Sequence, residues 1–327
     1  MTIKNWTLAA ASMLSAGCLA MGAATAQSGP TVRFGHMNSQ THIVHRGAER
    51  MRAALEQAGV KMELFPSAQL GENSAVLEQL TLGANIVTQV GPGTIAQYAP
   101  NYSVLVYPFL YNNFDEVKRL IDSPLVKGWE PSLARNNIKL LCAFNFGTRD
   151  LYTRNRPVRT PADAAGLKIR VQPVAIYTEL VRSMGGQPTP MPWPEVYSAL
   201  SQGVIDAAEA PPNALLDQKH TEAARYYMQT NHILDASVIV MSLRAFNALP
   251  ATQQQALQKA ANEMCDWMTS EATRSYAESV AEVERRGMTI IRDVDRAAFA
   301  KSAESIAAAF PNWTPNLVGE VRKALGR

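Results

Sequence analysis

"GLKIRVQ", residues 166–172, is the stretch on which the fold turns. Leu167, Ile169 and Val171 alternate with Lys168, Arg170 and Gln172. A period of two puts the apolar set on one face, so the stretch reads as a half-buried strand. A helical pattern over 175–184 follows, then the Gly- and Pro-punctuated "GGQPTPMP", a helix over 194–202 and a strand over 204–208. That is one α/β unit. Upstream lies another: a strand in "TVRFGHM" (31–37), a helix from about 42 to 57 closed by Gly59, a strand in "KMELFP", a short amphipathic helix, and a strand in "NIVTQVG". The alternating order predicts a parallel sheet covered by helices.

Between the units the chain reads as follows. "YSVLVYPFLY" is apolar and contains a proline, which predicts a strand end and a turn; "DEVKRLIDSPLVKGWEPSLARN" reads as helix and "IKLLCAFNFG" as strand. "GTRDLYTRNRPVRTPADAAG" is polar, basic and broken by two prolines, which predicts a crossover between lobes. "DASVIVMSLRAFNAL" gives a strand and a short helix. From Ala251 to Arg286 there is neither Gly nor Pro, which predicts a long helix running along both lobes, straight, kinked or split.

The ends and the composition bound the function. Residues 1–26 carry one basic residue, Lys4, then an uncharged apolar run closing on Ala24-Thr25-Ala26, the pattern of a cleaved secretory signal peptide. Cys18 raises a lipoprotein alternative, but Ser15 stands three residues before it. Export with cleavage near Ala26 is the expectation. The formal charge is +3, and +2 once Lys4 leaves with the leader. No basic tract is interleaved with aromatics, which argues against nucleic acid as a partner. Cys142 and Cys265 read as two free buried thiols, with a disulfide as the alternative that an oxidising compartment allows.

In open α/β sheets ligands bind beyond the carboxyl ends of strands, and Arg170 lies near such an end. A guanidinium matches a carboxylate bidentately, so Arg170 and Arg149 are candidates for an anionic ligand; from pattern alone a solvated strand arginine is the simpler reading. Trp193, between Pro192 and Pro194, is either a ligand cover or a core anchor. In "VIDAAEAPPN", Asp206 and Glu209 read as hinge or capping residues, and Asn213 as the better ligand candidate. Glu72, Gln89 and Asn145 are polar groups expected near the cleft. His36, His42 and His45 lack a metal-ligand spacing. "GPGTIA" lacks both phosphate-binding fingerprints, and no nucleophile–base pair is visible. No metal, cofactor or enzymatic activity is expected.

Several of these segments together resemble the solute-binding proteins of TRAP transporters, the DctP-like family: "PSAQLGE" (66–72), "GTRDLYT" (147–153), "PADAAGLKIRVQ" (161–172), "MGGQPTPMPWPEVYSALSQGVIDAAEAP" (184–211) and "TNHIL" (230–234). The resemblance implies a two-lobed clamshell of the type II-like periplasmic-binding-protein class, with a hinge and a long helix spanning both lobes. Lobe I is expected over 27–147 plus 236–277, and lobe II over 148–235 plus 278–327. It implies capture of an organic acid and delivery to a small and a large integral membrane subunit, with no cofactor. Arg170 then matches the arginine that grips the ligand carboxylate, Arg149 a second pocket arginine, and Trp193 an aromatic that packs on the ligand. Ala210 departs from the pattern, since many members carry Asn there; Asn213 is the candidate substitute. A sugar acid or hydroxy acid is the expected ligand. The alternatives are a C4-dicarboxylate, an aromatic or branched 2-oxo acid, or a receptor feeding a membrane sensor. The chain is expected to act as a monomer.

Overall fold

The computed structural model describes residues 31–327; the expected leader, 1–26, lies outside the described residues. The chain begins β1 (Val32–Gly35), α1 (Ile43–Gln57), β2 (Met62–Phe65), α2 (Asn73–Thr81), β3 (Ile86–Val90) and α3 (Pro92–Ile95). Three short helices, α4 (Phe114–Ile121), α5 (Pro124–Lys127) and α6 (Glu130–Arg135), lead into the long β4 (Ile138–Thr153). The second unit is β5 (Lys168–Val171), α7 (Ala175–Ser183), β6 (Gln187–Pro190), α8 (Val196–Gln202), β7 (Ala207–Ala210) and α9 (Pro212–Asp217). The chain returns through a second long strand, β8 (Tyr226–Ser242), then α10 (Leu243–Asn247) and α11 (Ala251–Arg285). It finishes with β9 (Thr289–Ile291), α12 (Arg296–Ala303) and α13 (Leu317–Ala324).

All nine strands among the described residues join one sheet in the order β2-β1-β3-β8-β4-β7-β5-β6, with β9 pairing β8 off that path. The predicted parallel units stand at its two ends: β1 pairs β2 and β3 in parallel, and β5 pairs β6 and β7 in parallel. The centre is antiparallel. β4 and β8 run side by side from Ile138↔Ser242 to Thr153↔Tyr226, with register shifts between Leu140 and Cys142, Asn145 and Gly147, and Arg149 and Leu151. One half of this ladder borders β3 and the other half borders β7. Gly147 sits at the second shift with φ +139, and a Cβ there would lie 2.7 Å from the Pro211 Cβ, so both conformation and space call for glycine.

Three sequence expectations change. The segment from Gly147 to Thr153 is not a crossover but the second half of β4; Arg149, Asp150 and Thr153 in it are buried and hydrogen-bonded, so polarity misreported exposure. "YSVLVYP" is not a strand end but a 3-10 helix over Pro100–Val106, buried in the core; a short continuous apolar run does not distinguish the two. Cys142 and Cys265 are not free: they form a disulfide that ties α11 to β4 across 123 residues. The long helix is present, uninterrupted over 35 residues. Its apolar residues Leu257, Ala261, Met264 and Met268 pack with Val44, Ala48 and Met51 of α1 in one core cluster. A separate cluster gathers Val196, Leu200, Tyr152, Tyr227 and Val283.

Candidate functional site

A cavity of about 310 Å³ lies between the two parallel units. The turn after β1 contributes Met37 and Asn38, β3 contributes Gln89, and the ends of β5 and β7 contribute Arg170, Gln172, Ala210 and Pro211. Strand β8 presents Asp235 and Ser237, two residues apart and therefore on one face. The first residues of α2 and α7 also border the cavity. Among the residues named in the sequence, Arg170, Arg149, Trp193, Glu72 and Gln89 all line it.

The two arginines differ in their partners. Arg149 is buried, donates to Glu209 through Nε and to Oε1 of Glu209 through Nη2 at 2.6 Å, and reaches Asp235 Oδ2 through Nη1 at 2.7 Å. Its Nη2 also donates to the Glu209 carbonyl at 2.9 Å. Four of its five N–H groups are thus engaged. In return Arg149 and His232 hold the Glu209 carboxyl down to about 2 despite full burial. Arg170 is 2 % exposed. Its Nε and Nη2 donate to one acceptor, the Met191 carbonyl, at 3.1 and 2.9 Å. The guanidinium lies 5.1 Å from the Trp193 ring, and among the described residues no carboxylate forms an ion pair with it. Burial pulls its pKa down to about 10. It stays charged at neutral pH, in a place where an unpaired charge is costly.

Trp193 is itself backed by His220, whose ring meets it edge-on at 4.7 Å and whose Nδ1 shares a hydrogen bond with the Tyr152 hydroxyl at 2.8 Å. Burial, with the Arg170 charge adding, drops the His220 pKa to about 3, so the imidazole is neutral. Glu72 stands at the N-cap of α2 without capping it. Burial and then Glu195 push its carboxyl up, while Arg170 acts in the opposite direction. Gln89 donates to Ser237 Oγ at 2.8 Å.

Two expected residues stand elsewhere. Asn145 does not line the cavity; its Nδ2 donates to Thr273 Oγ1 at 3.1 Å, so it faces α11. Alternation along β4 puts it there: its neighbour Phe146 lines the cavity, and its partner Ala236 lies between the cavity-lining Asp235 and Ser237. Asn213 is also outside the lining, and its Oδ1 lies near Gly147. Its neighbours Pro211 and Ala214 border the cavity instead, because Asn213 lies on another face of α9. Sequence reading missed Tyr177 and Asp235, both cavity-lining and buried. Asp235 did carry a signal: it is an acid inside the apolar run 233–241. Glu209, read as structural, holds Arg149, and Asp206 accepts from the Lys168 backbone at 2.9 Å. Among the described residues no group of His, Cys, Asp and Glu is placed to hold a metal. His36 and His45 instead hydrogen-bond each other at 3.1 Å. No helix of the described residues is long and apolar enough to cross a membrane.

Comparison with known proteins places this geometry. The family model described as bacterial extracellular solute-binding protein, family 7 (DctP) matches residues 34–312. The 2,3-diketo-L-gulonate-binding periplasmic protein of Escherichia coli is 29% identical over 273 residues, 83% of either chain. A TRAP periplasmic solute-binding protein of Actinobacillus succinogenes, solved with bound L-galactonate, superposes with a TM-score of 0.87 at 30% identity, covering 91% of this chain and 99% of its own. One from Fusobacterium nucleatum with bound sn-glycerol-3-phosphate gives a TM-score of 0.87 at 27% identity over 90% and 97%.

Proposed function

The chain belongs to the family 7 extracellular solute-binding proteins of TRAP transporters, and from that membership we propose that it captures an organic acid in the periplasm by closing on its carboxylate with Arg170. The observation that carries this reading is the buried guanidinium of Arg170, charged, lining a cavity and without a carboxylate ion-pair partner among the described residues. A ligand carboxylate would complete it, with Trp193 against the ligand and the α2 and α7 N-termini favouring the negative charge. Arg149 is a poor second grip, since Glu209 and Asp235 already neutralise it. A sugar acid or hydroxy acid is the ligand this arrangement favours, in line with the L-galactonate held by the Actinobacillus relative. Gln89 and Glu72 would meet its hydroxyls. The glycerol phosphate held by another relative supports a second reading, a phosphate monoester at the same arginine.

The lobes we propose are 27–147 plus 236–277 and 148–235 plus 278–327, hinged where β4 and β8 shift register near 146–150 and 234–238. The closed chain would hand its ligand to a small and a large membrane subunit. Neither step involves catalysis. Thermal unfolding of the mature chain against a panel of about a hundred organic acids and phosphate monoesters tests the reading. A ligand present at a thousandfold excess over its Kd stabilises by about 4 kcal/mol, a rise of several degrees in Tm. Arg170→Ala should weaken the binding of that ligand by about 2–5 kcal/mol, and Arg170→Lys should also bind poorly because a point charge cannot form the fork. Unchanged affinity in Arg170→Ala would sink the clamp.

A further inference from the structure

Two cavity side chains carry polar atoms that no other described residue uses. The Tyr177 hydroxyl and Asp235 Oδ1 are buried, and neither has a hydrogen-bond partner among the described residues. Both residues line the cavity, at 1 % and 3 % exposure. Oδ2 of Asp235 is held by Arg149 at 2.7 Å, and the Tyr177 ring lies 5.1 Å from the Arg149 guanidinium. Buried polar groups are paired as a rule, so each exception calls for an explanation, and in a side chain that lines a cavity a bound ligand supplies one. Burial, then the nearby Asp235 charge, push the Tyr177 phenol well up, so it keeps its proton and both donates and accepts.

The charge around these atoms sets what they accept. Arg149, Glu209 and Asp235 form one cluster of a single cation and two carboxylates, with Arg149 engaged by both. This wall therefore offers a carboxylate oxygen and a phenol, and no spare cation. We propose that Asp235 and Tyr177 determine specificity by accepting and donating to a hydroxyl of a hydroxy monoacid, and that Asp235 rejects a second ligand carboxylate. The proposal rests on the Arg170 clamp and narrows its substrate class, setting aside the C4-dicarboxylate alternative.

Matched probes test it by isothermal titration: glycerate and tartronate, gluconate and glucarate, galactonate and galactarate. Each pair keeps its carbon skeleton and exchanges a terminal hydroxymethyl for a carboxylate. The wild type should bind the monoacid of at least one pair at least tenfold more tightly than its diacid. Asp235→Asn keeps an oxygen for Arg149 and turns the unused acceptor into an N–H donor, so that preference should shrink at least tenfold. Tyr177→Phe should weaken the monoacid at least threefold and leave the diacid unchanged, and it carries the test alone if Asp235→Asn does not fold. A monoacid preference below tenfold in all three pairs, a preference unchanged in the folded variants, or no binding by any of the six probes overturns the proposal. If Arg170→Ala abolishes binding while Asp235→Asn leaves the preference intact, the clamp stands and this inference falls. If nothing in the acid panel binds, both fall.

Discussion

Arg149 and Arg170 are the same residue type, buried to nearly the same depth in the walls of one cavity. They should nevertheless respond unequally to removal. Arg149→Ala would leave Glu209 and Asp235 buried without their cation and should cost about 3–5 kcal/mol of stability. Arg170→Ala removes a charge that no ion pair holds, together with two hydrogen bonds to the Met191 carbonyl, so its cost should be smaller, about 1–2 kcal/mol. Denaturant unfolding of the two ligand-free variants checks this, and equal losses would refute the distinction. Pattern alone favours a solvated arginine at both positions, and it is the family resemblance that implies a pocket role for the two. Neither gave a sign of which was engaged. The partners of Arg149 lie 60 and 86 residues away, and that separation hides an ion pair from any reading of pattern. Tyr177 was hidden differently: on an apolar helix face a tyrosine reads as core, and only the unpaired hydroxyl sets it apart.

At the scale of elements, absence proved more informative than polarity. The lack of Gly and Pro over 251–286 gave α11 almost to the residue. The polar character of 148–153 misled, because Arg149, Asp150 and Thr153 are all buried. Asp150, for one, is held by the hydroxyls of Tyr227 at 2.7 Å and Tyr276 at 2.9 Å. Helix α11 is fastened to β4 covalently through Cys142 and Cys265. A bond closing a loop of that length restricts the unfolded chain and should contribute on the order of 2–5 kcal/mol. Reduction, or the pair Cys142→Ser and Cys265→Ser, should therefore lower Tm by several degrees in calorimetry. An unchanged Tm would mean that the packing of α11 on α1 and β4 suffices alone. Glycine acts at this scale too. A Cβ on Gly93 of α3 would lie 2.7 Å from Val174 at the start of α7, so the two units meet there without a side chain between them.

For the whole molecule, acid is the informative stress. Burial holds His36 and His220 near pKa 3 and His42 near 4, all below the ordinary 6.5. Between those values the unfolded chain binds protons that the folded one refuses, so stability falls as pH falls. His42 alone should account for about 3 kcal/mol between pH 6.5 and 4. Glu209 adds to the loss as pH drops from 4.5 towards 2, its ordinary and folded values. Asp150 and Asp235, raised by burial, act in the opposite sense, but the histidines start the decline at higher pH. Urea midpoints measured from pH 7 to 4 should decrease steadily. His42→Asn, which keeps a capping side chain for α1, should flatten that slope; a slope the variant leaves unchanged would exclude His42 as a cause. The continuous sheet has a last consequence, for descent rather than for chemistry. Because β4 and β8 each run through both halves, neither half is a cassette. A gene fusion that swapped one half for that of a cousin would have to join foreign backbone in mid-strand twice, at matching bulges. Ligand preference in such a chain is therefore free to drift by substitution at the cavity wall, but not by trading modules.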